Sequence, residues 1–202
     1  MRRYQFLFFA ILVVLLVSCL DSGGSSGSGQ SNAPSEPAGQ AAPSPLERIM
    51  AAQNLSQAIE IASPDMTDTS DAVSPGAVEL ASWASAHLKW PELSRLPATR
   101  YALVMKDPGR ERGKRITVYG SIVEITAEDT RVGKIYEGGM LDSNFNVYRF
   151  IAVGSTGDLV QQSEASFTGV VIGRQDYSNS AGGMSHAVYL VGMFNLPENL
   201  RR

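Results

Sequence analysis

Residues 101–125 read YALVMKDPGRERGKRITVYGSIVEI, and the second half of this run decides the fold. Ile116, Val118, Gly120 and Ile122 alternate with Thr117, Tyr119, Ser121 and Val123, the period-two pattern of a strand with one buried face. Gly120 interrupts the pattern at its centre. Glycine inside a strand marks a bulge or tight corner, which a strongly bent barrel strand requires.

Working outward, four more strand candidates follow at residues 132–141, 147–153, 166–172 and 186–194, five in all. Residues 127–130 read as a loop, and 158–163 (DLVQQS) lie between the third and fourth strands. Residues 173–185 (GRQDYSNSAGGMS) read as a long loop joining the last two. Gly138-Gly139 suggests a bulge and Gly182-Gly183 a turn.

The opening run resembles the start of OB-fold domains in bacterial envelope proteins, the tRNA-anti-like OB-fold family. That pattern is a short helix, an Asn/Asp-Pro turn, a Gly-Lys pair and a strand broken by a central glycine. Asp107-Pro108, Gly113-Lys114 and Gly120 stand in those places, and the resemblance spans about residues 100–195. It implies a five-stranded Greek-key barrel with a helix between the third and fourth strands, and a binding face bordered by the 173–185 loop.

Upstream, Ser44-Pro45-Leu46-Glu47 carries a capping residue, a proline at the first helical position and a capping-box glutamate. Leu46, Ile49, Met50, Leu55 and Ile59 then suggest one amphipathic helix over 46–62. Residues 65–74 (DMTDTSDAVS) form an acidic, polar loop. Ser74-Pro75 opens a second helix running to about Trp90, where Pro91 stops it. The expected fold class is therefore mainly β with N-terminal helices: an OB-type barrel preceded by two or three α-helices.

The start of the chain has a different character. Arg2 and Arg3 precede twelve uninterrupted apolar residues, 6–17 (FLFFAILVVLLV), short for a membrane span of roughly 20 residues but suited to a secretory leader. Leu16-Val17-Ser18-Cys19 follows and looks like the lipobox of bacterial lipoproteins. The resemblance implies cleavage between Ser18 and Cys19, a diacylglyceryl group on the Cys19 thiol and a fatty acyl chain such as palmitate on its amino nitrogen. More than one acyl chain gives a stable anchor where one binds only reversibly. The expected location is the cell envelope, facing the periplasm or the cell surface. Leu20, standing where an inner-membrane retention Asp would be, points toward the outer membrane. Residues 21–43 are Ser, Gly, Ala, Pro and Gln with little to bury, a tether. The expected organisation is a signal peptide at 1–18, lipidated cysteine and linker at 19–43, helices at 44–98 and barrel at 99–202.

Composition narrows function. The chain is 44% hydrophobic with a net charge of −3, which becomes −5 once Arg2 and Arg3 leave with the leader. Residues 99–202 hold 12 basic and 11 acidic side chains, a neutral balance that does not favour nucleic acid, so single-stranded nucleic-acid binding, the familiar use of this fold, ranks third among the binding classes. Cys19 is the only cysteine, so no intramolecular disulfide or cysteine nucleophile is available. Ser185 and His186 are strand neighbours that point to opposite faces. His87 and His186 lie far apart without zinc-ligand spacing, and His87 reads as a helix residue beside Trp83 and Trp90. Glu128-Asp129 reads as a solvated turn. No enzyme and no cofactor is expected.

Binding is the remaining class. The candidate ligand- or partner-binding residues are Lys134, Tyr136, Tyr148, Arg149 and Tyr177, with Arg131 and Phe150 nearby. Tyr148 and Phe150 share one face of their strand and Arg149 the other, so one set must fill the barrel. The first expectation is protein–protein contact in the envelope. The second is an oligosaccharide or small ligand on the barrel face. An exposed apolar patch would favour the protein partner; a concave face with aromatics ringed by polar groups would favour the sugar.

Overall fold

A computed structural model describes residues 42–178 and 182–197. The lipobox, Cys19 and the tether lie outside the described residues. Among the described residues no helix is long and apolar enough to cross a membrane.

Prolines punctuate the first half. Pro45 begins α1 (Pro45–Met50), Pro75 begins α3 (Pro75–His87), Pro91 sits in the first turn of α4 (Trp90–Arg95), and Pro108 begins α6 (Pro108–Glu111). The ring presets a helical φ and lacks an N–H that the first turn would leave unpaired anyway. Between them lie α2 (Leu55–Ala62), a 3-10 turn at Ser63–Asp65, a two-residue strand β1 (Thr69–Ser70) and α5 (Tyr101–Lys106).

The helix expectations are therefore corrected. The single helix over 46–62 is two helices, because Asn54 caps a new one by accepting the Gln57 N–H at 3.0 Å. Pro91 starts a helix instead of stopping one. Among the described residues there are six α-helices, not two or three. They are not a purely N-terminal set: β1 divides them, and α5 and α6 belong to the run that leads straight into the sheet.

The remaining strands are β2 (Arg115–Thr130), β3 (Gly133–Asp142), β4 (Val147–Val153), β5 (Glu164–Ser178) and β6 (Met184–Phe194). They make a mainly β protein. The sheet order is β1-β5-β2-β3-β4-β6, with β5 also paired to β6, so β2 to β6 close on themselves. The sheet has six strands, not five, because β1 adds in parallel to the far end of β5. Asp68 fixes that addition: its carboxylate accepts from Arg112 Nη2 at 2.8 Å and from the Arg174 N–H at 3.0 Å. Residues 158–163 form turns instead of the expected helix. The expected 173–185 loop is mostly strand, with β5 running to Ser178 and β6 starting at Met184.

Closure depends on glycine at the crossings. A Cβ on Gly120 would overlap the carbonyl of Leu141, and one on Gly192 would overlap that of Thr168. Two bulges, at Ile122/Glu124 and Val171/Gly173, bend β2 and β5.

Two cores result. Inside the ring, Ile122, Met140, Phe150, Phe167, Val188, Leu190 and Phe194 pack with Val104 of α5. Phe150, Phe167 and Phe194 meet pairwise at centroid separations of 5.0–5.3 Å, a range favourable for aromatic pairs. Outside it, Ile151 and Val153 of β4, Val170 and Ile172 of β5, and Tyr189 and Val191 of β6 pack beneath Leu55, Leu80, Trp83 and Leu93. Trp83 donates its indole N–H to the Ala52 carbonyl at 2.8 Å, tying α3 to the α1–α2 turn. Because the helices complete their core on the outer face of the ring, Pro43–Arg202 is one unit, and the expected boundary at 98/99 falls inside it.

Candidate interaction surface

The helices rest on β3, β4, β5 and β6. The outer face of β2 is left in solvent, and apolar side chains gather there. Tyr119 is 68% exposed and Val123 42% exposed on β2 itself. Phe145 is 79% exposed in the β3–β4 turn, and Val160 is 61% exposed in the segment before β5.

Strand pairing and turn bonds fix the backbone around them. Gly120 pairs with Asp142 across β2 and β3, so Tyr119 stands beside the turn that carries Phe145. Asp142 organises that turn: Oδ1 accepts the Asn144 and Asn146 N–H groups at 2.8 and 2.9 Å, and Oδ2 accepts Asn146 Nδ2 at 2.9 Å. The Tyr148 hydroxyl donates to the same Oδ2 at 3.3 Å. Burial pushes the Asp142 carboxyl up, but the bonds from Asn146, Asn144 and Tyr148 together hold it below its usual range. Phe145 sits at φ +61°, a left-handed conformation uncommon for an aromatic residue. Such a conformation persists only when its surroundings enforce it. On the other side, Gln161 Nε2 donates to the Val123 carbonyl at 2.8 Å and the Gln162 N–H to the Ile122 carbonyl at 2.8 Å. These bonds set Val160 beside the β2 bulge.

Beyond that bulge β2 becomes an edge strand: it keeps β3, which stays paired to β4 as far as Ile135, and only the hairpin tip beyond is a two-stranded ribbon. β2 pairs with β5 only over residues 115–121, while its pairing with β3 runs on to Thr130. One face of this β2–β3 pair carries Glu124, Thr126, Glu128, Ile135 and Glu137. Glu137 is half-buried, and its carboxyl is pushed up to about 6, first by burial and then by the charge of Glu128. No cation lies within ion-pair distance of either carboxylate among the described residues.

The residues singled out from sequence do not form one site. Tyr148 and Phe150 point into the ring, 5% and 1% exposed. Tyr136 is half-buried against that same core. Arg149 points outward and pairs with Glu124; burial pulls its guanidinium below the usual value. Lys134 is exposed, 3.6 Å from Asp129 across the ribbon, and Arg131 is exposed at its tip. Tyr177 is half-buried near the end of β5. Both histidines have partners: His87 stacks on Trp83 at 5.5 Å and His186 Nδ1 lies 2.7 Å from Asp176 Oδ1. Glu128 and Asp129, expected in a turn, are strand residues.

Tyr119, Val123, Phe145 and Val160 are the residues that sequence reasoning missed. Asp-Ser-Asn around Phe145 was the available signal, since an aromatic among turn formers has little chance of burial. No group of three or more metal-ligating side chains occurs among the described residues. A shallow groove of about 280 Å³ lies between Asn54–Ser56 and Glu92–Pro97, where the Glu92 carboxylate faces the start of α2. Neither a protein-family model nor a curated protein matches the sequence.

Proposed function

We propose that this chain is a lipid-anchored envelope protein whose barrel is a non-catalytic module for binding another protein. The carrying observation is the apolar group Tyr119, Val123, Phe145 and Val160, exposed together on the β2 side that the helices leave uncovered. Isolated exposed apolar residues need no explanation, but a grouped patch rimmed by polar residues is the mark of an interaction surface. Tyrosine and phenylalanine are residues that interface centres favour.

The barrel is of the OB type on this reading. In support, the ring order is β2-β3-β4-β6-β5, and β4 and β6 are the parallel pair. In that architecture nucleic acid and sugars commonly meet the second and third barrel strands. Here those are β3 and β4, whose outer residues Ile135, Ile151 and Val153 are buried in the helix-facing core. This favours a partner on β2. An oligosaccharide is the second reading: Tyr119 and Phe145 stand near Ser121, Ser143 and Asn144, a combination of aromatics and neutral polar groups. Val123 and Val160 extend the patch with aliphatic groups that a sugar does not match. The leader and lipobox supply the anchoring half of the proposal, with Cys19 as the lipid-bearing residue.

The test is a double variant, Tyr119→Ser with Phe145→Ser. Neither side chain is part of a core, so thermal unfolding stays within a few degrees of the parent while co-purification of the envelope partner is lost. Retained co-purification would contradict the proposal.

A further inference from the structure

The same strand offers a second feature, its hydrogen-bonding edge. β2 leaves β5 at Ser121, and the segment before β5 follows it only as far as Val123. From Glu124 to Thr130 its sole strand partner among the described residues is β3. Every residue from Thr126 to Thr130 is exposed. The ribbon closes with Thr130 opposite Gly133 across the two residues Arg131 and Val132. Antiparallel alternation from that closing pair turns Thr126 and Glu128 toward β3 and leaves the N–H and C=O of Ile125, Ala127 and Asp129 facing outward.

An open strand edge is a template for another strand. Its side chains decide which. On one face β2 presents Glu124, Thr126 and Glu128, backed by Glu137; on the other it presents Ile125, Ala127 and Asp129. A second copy would bring Glu124, Glu128 and Asp129 alongside a strand with the same three acids and no base, and like charges across strands are unfavourable. The chain's own residues 21–43 contain no Lys or Arg to complement them. An extended segment that alternates basic and apolar residues fits both faces. Its cations would meet Glu128, with Glu137 one strand further on, neither of which has an ion-pair partner among the described residues, and its apolar residues would continue the row of Ile125 and Ala127.

We propose that residues 124–130 of β2 accept such a basic, extended segment of a protein partner as an added strand. This rests on the protein-binding reading above and names the mode and the chemistry of the partner. Backbone bonds supply affinity, and the alternating side chains supply selectivity.

The probe is a synthetic peptide of alternating lysine and valine, with its glutamate–valine counterpart as control, read by amide hydrogen exchange on the intact lipoprotein in detergent. The lysine peptide is expected to slow exchange at Ile125, Ala127 and Asp129 by about tenfold or more. The glutamate peptide should leave them unchanged. Ala127→Pro removes one outward N–H at an edge position that tolerates proline, and it abolishes the protection. Glu128→Lys keeps every backbone group and also abolishes it, so the outcome does not depend on the proline variant folding. Unchanged exchange with the lysine peptide, or equal protection by the glutamate peptide, overturns the proposal. If a protein partner still crosslinks at Tyr119 in Glu128→Lys, the edge proposal falls while the protein-binding reading stands.

Discussion

Glu137 lies directly opposite Thr126 on one face of the β2–β3 pair, which places it diagonally beside Glu128, one position further along. Of the three carboxylates on that face, Glu124 pairs with Arg149, while Glu137, half-buried, and Glu128 have no cation within ion-pair distance among the described residues.

That pairing has a thermodynamic consequence. The Glu137 carboxyl is raised from 4.5 to about 6, so between those values the folded chain holds a proton that the unfolded chain releases. The native state therefore loses stability as pH rises from about 4.5 through 6. Glu137→Gln removes the charge and should stabilise the protein at pH 7.5 by about 1–2 kcal/mol, with little effect at pH 4. Denaturant melts at the two pH values check it. Equal effects at both would show that the carboxylate is not destabilised.

Gly120→Val should prevent closure of the ring. Any Cβ at that position overlaps the backbone of Leu141, which cannot move without separating β2 from β3. The expected loss is at least about 3 kcal/mol, at the severe end for point substitutions. A cooperative melt close to the parent's would contradict the register.

Asp142→Ala should release the turn that presents Phe145, since one carboxylate accepts from Asn144, Asn146 and Tyr148. Losing several bonds to a charged acceptor should cost about 1.5–3 kcal/mol. Because the Asp142 carboxyl sits below its usual range, that stabilisation is present above the ordinary carboxylate value and disappears as pH falls through the lowered one. The difference between parent and variant should therefore shrink in acid, which a pH series of thermal melts would read.

Cys19→Ser should yield a precursor without lipid that moves to the aqueous phase on detergent phase separation. A variant that still partitions with detergent would mean that something other than the lipid holds the protein at the membrane.

Legibility in the sequence followed burial. Ile116, Val118 and Ile122 face the ring interior while Thr117 and Tyr119 face water, so the first half of β2 shows the alternation that a one-sided burial imposes. Its second half, TAEDT at 126–130, is exposed on both faces of an edge that has parted from β5, and without a buried face no alternation is selected. The end of β5 is similar: Arg174, Asp176 and Tyr177 carry no strand pattern, and their pairing is set from outside by β1 and β6. The break between α1 and α2 depended on Asn54 acting as a cap within a run otherwise compatible with helix. Among the site candidates, Tyr148 and Arg149 were separable by face, but which face was interior was settled by ring closure. Phe145 belongs to a turn, where one aromatic produces no period to detect.

The most direct measurement places a photo-crosslinking amino acid at Tyr119 in the full-length chain expressed in its host, with a second variant carrying it in residues 21–43. A discrete protein adduct at Tyr119, absent from the tether variant and lost with Phe145→Ser, is the predicted result. Absence of a protein adduct at Tyr119, or a glycan mass in its place, would contradict the account of β2 as a protein-binding surface.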